Sequence, residues 1–234
     1  MLWRRRVVIL CYHGVTPLQH DRFHRQMEYI ARRTVMIDEL DSFTPRWKPH
    51  VCITFDDALS NLLYTAIPTL RQLNIQATVF APSGYLGRAA EWPMSAACPD
   101  RGIPLMKCSE LRKLAEIGFD IGSHTVSHSN LSETSLYLVE RELRVSKMEL
   151  ENNICQPIRT LALPYGAVRP ELEDMARAVG YDRILSLAPR LYRRGSGDHM
   201  VGRILVSPDI WWIEYMLVCS GAYAWLDIIR HIIK

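Results

Sequence analysis

Three stretches of the chain repeat one junction, and that repetition limits the fold more than any other feature. "LRQLNIQATVF", "LAEIGFDIGSH" and "ARAVGYDRIL" each run from helix-like periodicity through Asn or Gly into an apolar, strand-like run. Asn74, Gly118 and Gly180 stand where a left-handed helix cap is wanted. Helix, cap and strand in series indicate successive β/α units with parallel strands. The apolar runs predict strands at Val7–Tyr12, Val51–Phe55, Ala77–Ala81, Phe119–Gly122, Arg159–Leu163, Ile184–Leu187 and Val201–Val206, with a shorter one at Thr34–Ile37. Between them, helical spacing predicts helices over Asp21–Arg33, Leu59–Leu73, Ser109–Ile117, Ser132–Asn153 and Pro170–Val179. Seven or eight such units close into a barrel or a distorted one. Function then collects on the loops after the strands' C-terminal ends.

The 234 residues suit one α/β domain, and no linker or internal repeat divides them. We therefore expect a single domain over 1–234, with 207–234 as a C-terminal helical segment. A net charge of +3, without a basic stripe interleaved with aromatics, argues against nucleic acid as a partner. Six cysteines at 11, 52, 98, 108, 155 and 219 form no C-x-x-C, so neither a zinc knuckle nor a disulfide framework is expected. Arg4–Arg6 before an apolar run resemble the start of a signal peptide. Val7–Cys11 is too short for one, however, and we read it as the first strand of a cytoplasmic protein. No apolar run reaches transmembrane length. Residues Pro82–Lys107, with Trp92 and prolines at 82, 93, 99 and 104, lack periodicity and are either a loop over the site or an insertion.

Metal-competent and polar groups follow several of the predicted strands. His13 follows the first, Asp56 and Asp57 the second, His124 and His128 the strand ending at Gly122, and "PYG" the strand ending at Leu163. Two histidines four apart converge if their segment turns like a helix. One carboxylate of the Asp56–Asp57 pair would complete two histidines and one aspartate, leaving positions open for water and substrate, as in a catalytic zinc-type site. The other could take a proton from a water whose pKa the cation has lowered. Neighbouring strand residues point opposite ways, so the two acids suit separate jobs. The competing explanation is a helix cap, a solvated acid and a polar turn; each motif alone fits that, and the set together favours the metal.

"TFDDA", "SHTVSH" and "LPYG", in this order, resemble the first three motifs of polysaccharide deacetylases, the NodB-homology domain of carbohydrate esterase family 4. "YHGV" recurs in a branch of that family. The resemblance implies a distorted (β/α)7 barrel that removes acetyl groups from N-acetylated sugars with a divalent metal, often zinc; two histidines and an aspartate would accept cobalt or nickel as well. It further implies Asp56 as general base and Asp57, His124 and His128 as metal ligands. The N–H of Tyr165 would help hold the oxyanion, Pro164 would fix the turn that presents it, and Pro164, Tyr165 and Trp92 would contact substrate.

The departures from that pattern matter as much. The usual first motif ends in Gly, where Ala58 stands; since Ala is the smallest substitute we expect an ordinary backbone and a mild change there, whereas a positive φ would displace Asp57. Ala162 occupies the place of a common arginine, and "GRILVSPD" lacks the common acid histidine. Arg203 is the candidate to take over the arginine's electrostatic role. His13, ahead of His199, is the candidate to protonate the leaving amine. The C-terminal Trp- and Ile-rich stretch is expected to seal the barrel as a helix pair. The sharper alternative seats Trp211, Trp212 and Trp225 on the inner face of a membrane near a lipid-linked sugar, helped by Arg4–Arg6 or by Arg190, Arg193 and Arg194. The leading function is N-deacetylation of a carbohydrate in glycan or glycolipid assembly. An ester or formyl hydrolase and a silent glycan-binding barrel are the alternatives.

Overall fold

Alternation along the strands sets the layers of the computed structural model, which describes residues 6–222. On β2 (His50–Phe55), Val51, Ile53 and Phe55 join the large core shared with the helices. Cys52 instead joins a second cluster with Val7, Ile9, Phe80, Ala162, Leu185 and Val201, supplied by the other strands. Successive strand side chains point to opposite faces. The second cluster is therefore the barrel interior, and the first fills the space between barrel and helices.

The order is β1 (Arg6–Tyr12), α1 (His20–Ile30), β2, α2 (Leu62–Gln72), β3 (Thr78–Ala81), α3 (Cys108–Glu116), β4 (Asp120–Ser123), α4 (Leu136–Ile154), β5 (Thr160–Ala162), α5 (Leu172–Val179) and β6 (Arg183–Ser186). Then come β7 (Tyr192–Arg193), β8 (Met200–Gly202), β9 (Ile204–Leu205) and α6 (Trp212–Cys219). β1 to β6 and then β8 lie side by side in sequence order, all parallel, and β7 adds an antiparallel partner to β1. β9 returns parallel to β1, pairing Leu10 with Ile204 and Cys11 with Leu205. Counted as one strand broken at Arg203, β8 and β9 complete a distorted (β/α)7 barrel.

The three repeated junctions take the expected form. Asn74, Gly118 and Gly180 have φ of 53°, 95° and 96°. The N–H groups of Ile75, Phe119 and Tyr181 donate to the carbonyls of Leu70, Leu114 and Ala176 at 2.8, 3.1 and 3.1 Å, closing each helix as a left-handed cap does.

Other boundaries differ from expectation. The short strand at Thr34–Ile37 reduces to one bridge, Thr34 to Val51, and Val35, Ile37, Leu40 and Phe43 instead plug the barrel interior at the strands' N-terminal end. The last strand, expected unbroken over Val201–Val206, is interrupted at Arg203. Helix α4 starts at Leu136, four residues later than expected, because Leu131–Thr134 form a turn. All six cysteines are free. Of the expected C-terminal helix pair, α6 buries Tyr215, Val218 and Cys219 and leaves Ile213 and Leu217 exposed, as is Trp211 just before it. Trp225 and the stretch expected to form the second helix, together with Arg4 and Arg5, lie outside the described residues. Among the described residues, no helix is long and apolar enough to cross a membrane.

Candidate active site

The interior face of β2 carries Cys52, Thr54 and then Asp56 just past its end, so the apolar interior becomes polar toward the strands' C-terminal end. Arg203, fully buried at the break between β8 and β9, meets Asp56 there with both terminal nitrogens. Its Nη1 donates to Asp56 Oδ1 at 2.6 Å and to Thr54 Oγ1 at 3.2 Å, and Nη2 donates to Asp56 Oδ2 at 2.9 Å. Cys11 of β1 donates its Sγ–H to Asp56 Oδ2 at 3.2 Å. Burial alone would raise the Asp56 carboxyl, but the Arg203 guanidinium outweighs it and holds the group well below the usual carboxylate range. Burial pushes the Cys11 thiol well up, so it stays protonated and remains a donor.

Directly after Asp56 the backbone leaves the strand. Asp57 and Ala58 both adopt left-handed angles, φ 67° and 50°, so the ordinary backbone expected at Ala58 is not found. The feared displacement of Asp57 does not follow. Met106 donates its N–H to the Ala58 carbonyl at 2.8 Å and Leu59 bridges Leu105, which anchors the turn from outside. Asp57 Oδ1 lies 3.4 Å from His128 Nε2 and 3.7 Å from His124 Nε2, and its Oδ2 lies 4.0 Å from His13 Nε2.

His124 and His128 converge without a helical turn, since their segment is an irregular loop after β4 with Thr125 and His128 left-handed. His124 Nδ1 lies 2.8 Å from the Ala162 carbonyl; donating to it leaves the Nε2 lone pair facing the Asp57 carboxylate, available to a cation between them. Trp92 stacks on the His128 ring, centroids 4.2 Å apart and 17° between planes, and Tyr165 meets it edge-on at 4.8 Å. Burial pushes the His128 imidazole down to about 2, with His124 adding to the effect, so it is neutral at ordinary pH.

This donor set fits a cation. Ligand atoms of Asp57, His124 and His128 all lie within 4.8 Å of one another, and Asp57 Oδ1 is buried with no hydrogen-bond partner. One buried carboxylate oxygen between two imidazole nitrogens, without a donor, is the arrangement a two-histidine, one-carboxylate site provides.

The remaining candidates scatter more widely. Pro164 is buried, and Tyr165 follows it in a left-handed conformation, φ 59°, with its ring half exposed. His13 stands at the mouth beside Asp57. His199 precedes β8, at the opposite end of the barrel, with Nδ1 3.1 Å from the Asp182 carbonyl; that position removes it as a proton donor to this site. Residues 82–107 form the loop over the site, bringing Trp92 to His128 and Asp100 to the Gly14 N–H at 3.4 Å.

A family model described as polysaccharide deacetylase matches residues 44–184. The chain belongs to the polysaccharide deacetylase family. Within that match fall Asp56, Asp57, His124, His128, Pro164 and Tyr165; His13 and Arg203 fall outside it. The poly-β-1,6-N-acetyl-D-glucosamine N-deacetylase of Staphylococcus aureus is 25% identical over an alignment of 171 residues that covers 69% of this chain and 56% of that protein. The chain thus spans about half the length of the curated relatives it matches. Among solved structures, IcaB from Ammonifex degensii superposes with TM-score 0.77 at 23% identity, covering 94% of this chain and 98% of the other. The deacetylase PplD of Streptococcus pyogenes, solved with acetate, gives 0.74 at 20% identity, covering 92% and 98%. Both establish the barrel shared by this deacetylase-family chain.

Sequence reasoning missed Cys11, Thr54 and Asp100. The first two were within reach, since an interior register on β1 and β2 places them on the side of Asp56. Asp100 reaches the site from a loop, and no local pattern marks it.

Proposed function

We propose that this deacetylase-family chain is a metal-dependent hydrolase that removes N-acetyl groups from an amino-sugar glycan, with the work done in a single domain. The observation that carries the reading is the Asp57–His124–His128 cluster beside an Asp56 held ionised by Arg203. A divalent metal in that cluster, zinc by preference with cobalt or nickel as substitutes, would lower the pKa of a water and polarise the acetyl carbonyl.

Asp56, ionised and fixed on three sides, accepts the proton of the attacking water. Arg203 is a positioning residue, keeping both carboxylate oxygens in place. The N–H of Tyr165, set in its turn by Pro164, is the donor assigned to the developing oxyanion. His13, partly exposed and next to Asp57, is the donor assigned to the leaving amine. Trp92 and Tyr165 flank His128 with faces and edges suited to a sugar ring. The name of the S. aureus relative supports β-1,6-linked N-acetylglucosamine as the first polymer to assay. The exposed Trp211 before α6, with Ile213 and Leu217 on it, keeps a lipid-linked carrier within the proposal.

Metal analysis combined with acetate release tests the reading. We expect about one divalent ion per chain and acetate from N-acetylated oligosaccharides, with Asp56→Asn lowering kcat by roughly a hundredfold or more while metal is retained. A purified protein with neither metal nor acetate release leaves the silent glycan-binding barrel standing. Release from O-acetyl but not N-acetyl sugars moves the assignment to the ester hydrolase.

A further inference from the structure

The loop that carries two of the three ligand residues cannot hold itself. Thr125 and His128 sit at φ 67° and 55°, and left-handed non-glycine residues cost on the order of 1 kcal/mol each. Within the loop, the His128 N–H donates to Thr125 Oγ1 at 3.1 Å. The Ser127 and Ser129 hydroxyls also lie 2.6 Å apart within it, and the bonds described next come from outside. On one side, the N–H groups of Ser83 and Gly84 donate to the carbonyls of Thr125 and Val126, each at 3.0 Å. Gly84 permits that approach, since a Cβ there would lie 2.8 Å from the Val126 carbonyl oxygen.

On the other side stands α4. Glu142 Oε2 accepts the N–H of Val126 at 2.8 Å and of Ser127 at 2.9 Å, and Oε1 accepts the Ser127 hydroxyl at 2.7 Å. One turn on, Ser146 Oγ lies 2.8 Å from Ser123 Oγ, which accepts the Thr125 N–H at 3.2 Å. Glu149 then accepts the Ser83 hydroxyl at 2.5 Å. Positions 142, 146 and 149 fall on one helical face. A polar face of α4 thus touches both strands of the clamp. Of these contacts only that of Glu142 brings a carboxylate onto two consecutive N–H groups of the loop, and charge-assisted bonds are about twice as strong as neutral ones.

We propose that Glu142 is a positioning residue for the metal centre: by gripping Val126 and Ser127 it places His128 against Asp57 and His124. It touches neither the cation nor substrate. The inference rests on reading Asp57, His124 and His128 as the metal site.

Calorimetric titration of zinc into metal-stripped protein, with the visible spectrum of the cobalt form as second readout, tests it. Wild type, Glu142→Ala, Glu142→Gln and the surface control Glu140→Ala are compared below their unfolding temperatures. Loss of a group that orients a ligand costs roughly 10–100-fold in metal affinity. We expect that loss for Glu142→Ala with an altered cobalt spectrum, a smaller loss for Glu142→Gln, and wild-type values for Glu140→Ala. A folded Glu142→Ala protein that binds zinc with unchanged affinity and an unchanged cobalt spectrum overturns the proposal, even if its unfolding temperature has fallen. Should Glu142→Ala not fold, unchanged affinity in Glu142→Gln overturns it. Wild type that binds no zinc overturns the metal-site reading itself, and the two failures are thereby distinct.

Discussion

Arg203 and Asp56 form a fully buried pair, and such pairs are defined by what happens when one member goes. Removing the arginine leaves a carboxylate in a low-dielectric interior with only Cys11 as donor, a situation that costs about 3–5 kcal/mol. We expect Arg203→Met to be destabilised by that amount in urea melts. The double variant Asp56→Asn, Arg203→Met should recover part of it, giving a coupling energy of at least about 1 kcal/mol. Additive losses would mean that the pair is packing and not charge. The two carboxylates and His124 stood out because each directly follows a strand-like run, where a polar group needs a reason, and His128 stood out by its spacing from His124. Ala58 was not. Its φ is set by Leu105 and Met106, residues more than forty positions away, and a local argument from side-chain size has no access to such anchors.

At the scale of elements, the junctions at Asn74, Gly118 and Gly180 were readable because a left-handed cap is a local structure with a local signature. The break in the last strand was not, because it answers to closure. β8 pairs with β6 and β9 with β1, so the chain must change partners between Gly202 and Ile204. Gly202 makes room for the change: a Cβ there would lie 2.1 Å from the Ala188 carbonyl oxygen and 3.0 Å from the Arg190 nitrogen. Gly202→Ala therefore forces backbone movement, and we expect a loss of about 1–3 kcal/mol together with reduced acetate release. A variant as stable and active as wild type would show that the 188–190 segment yields freely. The stretch at Thr34–Ile37 failed as a strand for a related reason. Its apolar residues serve to plug the barrel, and a plug and a strand share the same composition.

Across the whole molecule, two aspartates at opposite ends of the barrel, Asp56 and Asp120, are shifted in opposite directions. The C-terminal end stabilises ionised Asp56, whereas at the N-terminal end burial pushes Asp120 up to about 6. An unfolded aspartate titrates near 3.9. Asp120 thus keeps its proton in the folded protein over a range where the unfolded chain has lost it. Its contribution is fully present below about pH 4 and disappears as pH rises through about 6, a swing of roughly 3 kcal/mol. Asp120→Asn should match wild type near pH 4 and exceed it by about 2 kcal/mol at pH 8. Parallel urea stability curves for the two proteins across that range would refute the assignment. The barrel as a whole was legible from the series of β/α units, since parallel strands joined by helices have few ways to close.

Arg203 also sets an order of events. The carboxylate it holds lies 147 positions earlier in the chain, and the arginine sits at the strand break that completes the circle. A barrel still open at that seam has Asp56 at its rim without a counter-charge, free to swing and to hydrate. The proposed base and the fastening of the fold share one contact, so a molecule not yet closed at the seam holds Asp56 without its counter-charge.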